Sequence, residues 1–422
     1  MSHTEEDEEE EETQRLLEAT SEFFDDDIEM QSAVVSTEMG LYREQALFRR
    51  RWDDTYLIGL AEREGSFVAE YRMDLRGFDI LTQMLEEVMP VDNNMAIVKS
   101  REAGSDPISI HSKLGAALII LGGGRVMESM RTHGLSKSYT YANLRAVVRA
   151  INKHPALAIR SGNSSEYCKE KAKAFQNKSS YGIFKYCTGC IDGLAISIKA
   201  PNRKRHRNQR QFRSGSKKKT CINVQAVCDG DYIFQAMTAK HVGSTNDADC
   251  FETSSLKQLN QSLPFPYHWN ADAAYTTTES MHGPFPGINL HVINVAQDSY
   301  NFYQSQLRIM IEQAFGMFIQ MFGIFWKSSS YDLDFFLEII HCCFRLYNFI
   351  KRRKISCSHA QRQPPHHARL DEEGRLVDNV WRQGITAEDF SSEVRTGCTL
   401  RDRIVEEIIE NNYFHRRSHQ VY

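Results

Sequence analysis

Long apolar runs are missing from this 422-residue sequence, and no stretch approaches the roughly 20 residues that a helix needs to span a bilayer. The start is acidic, without the basic and then apolar segments of a secretory signal. We therefore expect a protein outside the membrane, with a cytosolic or nuclear address. Cysteine is scattered, and the one CxxC, Cys187 to Cys190, has no second CxxC or His pair at zinc-ligand spacing. This pattern favours buried thiols over a metal or redox site.

Basic residues are almost absent from the first 30 positions, which hold fourteen acids and one base. The rest of the chain has 50 bases and 41 acids, so a basic body follows an acidic tail. A basic body suits a protein that binds a polyanion. The tail has too little apolar surface to offset the entropy of ordering, so we expect disorder there. It would serve as a solubilising extension or, alternatively, mask a basic site.

Residues 31–160 have a helical pattern, with apolar positions three and four residues apart. Within it, the stretch 120–151 has the outline of a helix-turn-helix: two helices joined by a short turn that contains Gly134, with Ser136 as N-cap of the second. That helix would present polar side chains to DNA: Lys137, Ser138, Tyr139, Tyr141, Asn143 and Arg145. A helical bundle with a solvated polar face explains the pattern equally well.

Residues 180–350 change to strand patterns. Strands are predicted on both sides of Asp192-Gly193, then at 220–228 and 232–239, the last two joined by the turn signature Asp229-Gly230-Asp231. A helix at 246–259, strands at 267–272 and 290–295, and helices at 301–325 and 332–351 follow. This order is typical of an RNase H-like α/β fold, with a mixed sheet flanked by helices. The remaining 351–422 reads as a polar linker and an amphipathic helix at 399–411, which would dock on the body or, alternatively, bind a partner.

Four carboxylates fall where strand and helix ends would direct them at one site: Asp192, Asp247, Asp272 and Glu312. Glu312 lies in an apolar helix, where an unpaired charge is costly. A salt bridge to Arg308, one turn earlier, would explain it. A divalent cation would explain all four acids together, because Mg²⁺ takes carboxylate, water and phosphate oxygens.

The text around these acids resembles the Harbinger-type DDE transposases and their nuclease relatives. The matching motifs are Cys190-Ile-Asp-Gly193, Asn223 to Asp229, Gly243-Ser-Thr-Asn-Asp247 with Phe251, Asp272-Ala-Ala-Tyr275, and Asn301-Phe-Tyr303 with Ser305, Arg308, Ile311, Glu312, Phe315 and Gly316. The resemblance covers about residues 180–350. It implies a Mg²⁺- or Mn²⁺-dependent DNA strand-cleaving fold with Asp192, Asp272 and Glu312 as the catalytic triad. Asp247 is implied as a further metal ligand or a supporting acid.

The sequence differs from the family pattern at two places near these motifs. Asn270-Ala271 precedes Asp272 where the family often has Leu and Gly, and a second acid, Asp249, follows Asp247. Neither departure removes a ligand. The resemblance also implies a separate Myb-like DNA-binding partner, and a homo-oligomer is a further expectation.

A basic segment separates the first strand from the next. It holds ten bases and no acid: Lys199, Arg203, Lys204, Arg205, Arg207, Arg210, Arg213, Lys217, Lys218 and Lys219. We expect it to bind the phosphate backbone at the rim of the acidic site, through counterion release and without sequence choice. A flexible solvated loop or a nuclear import signal is the alternative, and both readings are compatible. The run 351–354 is a weaker import candidate, and a nuclear location is expected.

The sequence therefore predicts a metal-dependent DNA endonuclease, which cleaves phosphodiester bonds, or a transposase, which would add strand transfer. A catalytically silent DNA-binding protein derived from a transposase is the alternative from another class. An RNase H-like nuclease acting on RNA or hybrids is chemically similar and has no specific support in the sequence.

Overall fold

The computed structural model describes residues 54–89, 107–201, 208–215, 217–286, 295–358 and 400–414. The acidic tail 1–30, most of the strand predicted at 290–295 and most of the polar linker lie outside these ranges. The elements given below belong to one compact unit. No helix within the described ranges is long and apolar enough to cross a bilayer.

Seven α-helices precede the sheet in the described ranges, and the described parts of 31–160 are helical as predicted. They are α1 (Asp54–Arg63), α2 (Phe67–Tyr71), α3 (Leu75–Val88), α4 (Ile110–Leu121), α5 (Val126–His133), α6 (Lys137–Lys153) and α7 (Ser165–Gln176). The Oγ of Ser136 accepts a hydrogen bond from the backbone N of Tyr139 at 3.2 Å, so the N-cap predicted for α6 is present. Gly134 ends α5 in the left-handed region, with φ of 60°.

A six-stranded mixed sheet follows. Its strands are β1 (Cys187–Ser197), β2 (Arg213–Ser214), β3 (Lys219–Cys228), β4 (Phe234–Val242), β5 (His268–Asn270) and β6 (Met281–His282). Strand β3 pairs antiparallel with β1, β2 and β4, whereas β5 pairs parallel with β1 and β6. This mixed sheet with flanking helices fits an RNase H-like DDE domain.

One expectation about this sheet is wrong. The sequence predicted two short strands with Asp192 and Gly193 between them, but β1 runs through both residues. Its pairing with β3 is continuous from Cys190 opposite Cys228 to Ser197 opposite Cys221. Gly193 keeps extended pairing, opposite Gln225, because no turn interrupts the ladder there.

Helices cover both faces of the sheet. On one face pack α10 (Val295–Met321) and α11 (Leu333–Ser358); on the other lie α8 (Asp247–Glu252) and α9 (Ser255–Gln261). Since side chains alternate along a strand, residues of β1 divide between these faces. Cys190 faces α10, where its Sγ donates to the carbonyl oxygen of Leu307 at 3.3 Å. Ile191 packs in the second cluster, with Phe251 of α8.

The last described helix, α12 (Leu400–Glu410), docks on the body as the sequence predicted. Its apolar side chains Leu400, Ile404 and Ile408 are buried. The hydroxyl of Tyr303 in α10 donates to the carbonyl of Tyr413, just beyond α12, at 3.0 Å.

Candidate nuclease site

Asp192 lies in the middle of β1 on the face that α10 covers. Its partner across the ladder, Ala226, packs in the core beneath that helix. The carboxylate accepts a hydrogen bond from the backbone N of Gly193 at 2.7 Å. Burial raises the pKa of Asp192 to about 6; the nearby carboxylates of Asp272 and Asp247 also raise it, while the Gly193 hydrogen bond and Arg308 oppose the rise. The structure therefore places negative charges near this half-buried carboxyl group.

Asp272 follows β5, the neighbour of β1 in the sheet. Cys190 is opposite Asn270 in this parallel pair, so Asp192 and Asp272 each lie two residues beyond paired positions on adjacent strands. The Oδ1 of Asp272 accepts from the backbone N of Ala274 at 2.9 Å, which closes the turn. Gln304 of α10 donates to the carbonyl of Ala271 at 2.7 Å and fixes this turn beneath the helix.

Asp247 approaches from the opposite face of the sheet. It lies in the first turn of α8, and a methyl group built on Gly193 would collide with its Oδ1. Gly193 is one residue from Asp192, so its missing side chain would point away from α10. Glycine is needed there because the carboxylate occupies that space. The amide of Asn223 donates to the same Oδ1 at 2.8 Å.

A buried amide on β3 joins the two turns that carry Asp247 and Asp272. The Nε2 of Gln225 donates to the carbonyl of Asp247 at 2.6 Å and to the hydroxyl oxygen of Tyr275 at 3.0 Å. Gln225 and Tyr275 are both buried. Asn223 and Gln225 are two residues apart on one strand and therefore share a face. Sequence reasoning missed both amides as site residues; the strand alternation inside the motif 223–229 was the available signal.

Glu312 is the fourth acid that the sequence assigns to the site. It lies on the exposed side of α10, with 46% of its side chain exposed, and forms an ion pair with Arg308 one turn earlier. The salt bridge that the sequence offered for this glutamate is therefore present. Among the described residues, no three His, Cys, Asp or Glu side chains are close enough to hold a metal ion. The donor types suit a hard divalent cation, but the side chains as placed do not form a three-ligand cluster.

The basic segment is described only in part. Arg203, Lys204, Arg205 and Arg207 lie outside the described residues, and the other six bases of the segment are exposed. Lys219 extends back along β1, where its Nζ donates to the carbonyl of Ala195 at 3.2 Å. Lys219 is seven residues along β3 from Ala226, the residue that pairs with Asp192. At 3.3 Å per residue, the Cα atoms of Lys219 and Ala226 are about 23 Å apart.

The polar face of α6 is partly used for packing. Lys137 is exposed, but Asn143 is buried and donates to the carbonyl of Lys113 at 2.8 Å. The expectation that Asn143 is displayed to DNA is therefore wrong: its amide connects α6 to α4. The guanidinium of Arg145 lies 4.1 Å from the ring centroid of Phe335 in α11. DNA binding by Lys137 and Arg145 stays a prediction.

The cysteines agree with the expectation of buried thiols. Cys187 and Cys190 are free and buried, as are Cys168, Cys221, Cys228, Cys250, Cys342 and Cys343. Burial raises the pKa of Cys190 well above its ordinary value, so this thiol stays protonated.

Residues 191–348 match the family model of the DDE superfamily endonucleases. The match begins one residue before Asp192, includes all four carboxylates and ends within α11. It supports a DDE transposase-like family and a nuclease-type domain for this segment, which is less than half of the chain. The match does not distinguish the Harbinger subfamily. Neither the curated proteins nor the solved structures gave a significant match.

Proposed function

We propose that this protein is a DNA endonuclease of the DDE kind, most similar in its motifs to the Harbinger type. The observation that carries the proposal is the placement of Asp192 and Asp272 at the same level of adjacent strands, with Asp247 against Gly193, within a segment that matches the DDE endonuclease family. A DDE endonuclease domain implies DNA as the substrate. The exposed bases near β1 would attract its phosphates.

Asp192, Asp272 and Glu312 are the residues proposed to hold Mg²⁺ or Mn²⁺. Glu312 would join the aspartates by leaving Arg308, an exposed side-chain pair of the kind that contributes little to stability. A divalent cation bound there would activate water and neutralise the charge on the leaving oxygen. The water would lose a proton as its oxygen forms the new bond to phosphorus, the bond from phosphorus to the 3′ oxygen would break, and the leaving oxygen would take up a proton.

Asp247 is proposed as a supporting acid. Asn223 and Gln225 hold its side chain and carbonyl on the α8 face of the sheet, whereas Asp192 is on the α10 face. From there its charge raises the pKa of Asp192. Strand transfer by the freed 3′-hydroxyl, a Myb-like partner, self-association and a nuclear location remain part of the proposal.

A catalytically silent DNA-binding protein is the second candidate. The pairing of Glu312 with Arg308 favours it, because that carboxylate is already neutralised by a cation of the chain itself.

Plasmid nicking separates the two candidates. With Mg²⁺ or Mn²⁺, the wild-type chain is expected to nick supercoiled DNA, and Glu312→Gln and Asp192→Asn to lose at least about 100-fold in rate, as for removal of a main electrostatic group. DNA binding is measured on the same samples by fluorescence anisotropy. Binding without nicking would favour the silent protein, and nicking that survives both substitutions would reject the assigned site.

A further inference from the structure

Trp326 is a large aromatic side chain held at the surface, with 63% of its area exposed. Its indole Nε1 donates to the carbonyl of Ile319 in α10 at 2.8 Å. Its backbone N donates to the carbonyl of Gly323 at 3.0 Å. The ring is therefore fixed in place although most of its surface meets solvent, so a planar ligand would bind it at little cost in side-chain entropy.

The segment around Trp326 is held against the sheet and against α4. Ser329 bridges to Ile198, and the backbone N of Lys199 donates to the carbonyl of Ser329 at 3.0 Å. On the other side, a Cβ on Gly323 would lie 2.6 Å from the carbonyl oxygen of Gly122. The indole thus projects from a turn whose backbone is fixed at both ends.

The surroundings of Trp326 in the chain and in the sheet are basic. Lys327 follows it directly and is exposed, and so is Lys199, which the Ser329 bridge places beside the same segment. Lys199 also begins the basic segment. The acids nearest along the chain, Asp332 and Asp334, come at the start of α11. An exposed, oriented indole flanked by lysines has the chemistry of a surface for stacking nucleobases: the ring meets the base, and the ammonium groups meet the phosphates.

We propose that Trp326 is a stacking site for an unpaired base of the DNA substrate, with Lys199 and Lys327 contacting the adjacent phosphates. The inference rests on the proposed function and makes it more specific, because stacking on a side chain requires a base freed from the duplex. Ile198 is six residues beyond Asp192, directly after the end of β1, which is about 20 Å at 3.3 Å per residue. Because Ile198 is opposite Ser329, in the segment that carries Trp326, we expect the stacked base to lie away from the cleaved bond.

Equilibrium binding of the full chain to fluorescent oligonucleotides tests this site. The probes are a short single strand, a blunt duplex, and a duplex with a six-nucleotide unpaired end, all without divalent cation. Trp326→Ala is expected to weaken binding to the single strand and to the unpaired end by about 5- to 150-fold, the usual range for one stacked base, and to leave blunt-duplex binding within about 2-fold. Trp326→Phe should recover most of the affinity, because it keeps a stacking ring. Tyr56→Ala, an aromatic side chain of comparable exposure on α1, is the matched control and should change none of the three.

Equal binding of wild type and Trp326→Ala to all three probes would overturn the proposal, as would a wild-type chain that binds no unpaired DNA. Unchanged DNA binding combined with loss of self-association in sedimentation would assign the indole to a contact between copies of the chain instead. Because binding is measured without divalent cation, it is independent of cleavage. A chain that fails to nick plasmid but shows Trp326-dependent binding would reject the endonuclease and retain the stacking site.

Discussion

At the scale of single residues, the positions of the acids could be predicted and their surroundings could not. Asp192, Asp272 and Glu312 stand out because each interrupts or ends an apolar run. Whether a carboxylate faces α10 or α8 depends on the pairing of β1 with β3, which brings together residues 24 to 38 positions apart. A side chain at Gly193 would collide with the carboxylate of Asp247. This contact also depends on how distant segments pack together, so it could not be predicted from the sequence. Asn143 was misjudged for a similar reason, because its partner is a carbonyl 30 residues away.

The hydroxyl of Tyr275 provides a test at this scale. Tyr275→Phe removes the hydrogen bond from Gln225 and is expected to cost about 1 kcal/mol of unfolding free energy, the typical net value of one hydrogen bond. We also expect nicking to fall by roughly 10-fold or more, because the turn that carries Asp272 loses its connection to β3, and small misplacements of reacting groups are costly.

Tyr347→Phe is the control for this substitution. Tyr347 is buried in α11, and within the described part of the chain its hydroxyl has no hydrogen-bond partner. Tyr347→Phe should therefore leave the unfolding free energy and the nicking rate equal to those of the wild type within experimental error. If Tyr275→Phe behaved like the control in rate and in stability, the amide bridge would have no role in placing Asp272.

At the scale of elements, periodicity predicted most helices and several strands, while contacts between elements decided the rest. Helix α6 and its cap were predicted because both signals are local. The single strand through Asp192 was not, since Asp-Gly is a turn signal in isolation and only the ladder with β3 overrides it. The predicted helix 246–259 is divided into α8 and α9, with Ser254 as N-cap of the second.

The contact between α4 and the turn after α10 gives a prediction about stability. Gly123 has φ of 98°, and a Cβ there would lie 2.9 Å from the Cα of Gly323. Gly123→Ala is expected to lower the unfolding free energy in urea by more than about 1 kcal/mol, because both the backbone conformation and the close approach oppose a side chain.

Gly59→Ala is the matched substitution in α1. Nothing lies within 4 Å of the Cβ position at Gly59, and its φ is outside the left-handed region. It should be neutral or stabilise the chain by up to about 1 kcal/mol. Equal effects of the two alanines would contradict the packing described for Gly123 and Gly323.

At the scale of the whole molecule, buried histidines couple folding to pH. Burial lowers the pKa of His133 to about 4 and that of His268 to about 4. Between pH 6.5 and 4 the unfolded chain therefore binds more protons, so stability falls as the pH falls through this window. Asp192 acts in the opposite direction, because its pKa is raised to about 6 in the folded chain. Between about pH 6 and 4 the folded chain binds the extra proton, so this group increases stability as the pH falls.

Urea unfolding at pH 7 and pH 5 measures this coupling. We expect the wild-type free energy of unfolding to be lower at pH 5. His133→Leu should reduce the difference in unfolding free energy between the two pH values by at most about 2 kcal/mol, because about 1.5 units of the displaced titration range, from pH 6.5 to pH 5, lie between them. A wild-type and variant pair with the same pH dependence would show that His133 does not stay neutral in the folded chain.

At this scale we propose that Asp192, Asp272 and Glu312 form one divalent-cation site. The most direct test of this site is a titration of the full chain with Mn²⁺, in which electron paramagnetic resonance measures the concentration of free ion. Asp192→Asn, Asp272→Asn and Glu312→Gln are each expected to weaken binding by about 10-fold or more, since each removes a charged ligand. Asp249→Asn, at an exposed acid of α8, is expected to leave it unchanged. Unaltered Mn²⁺ affinity in all three variants, or a wild-type chain that does not bind Mn²⁺, would contradict the claim.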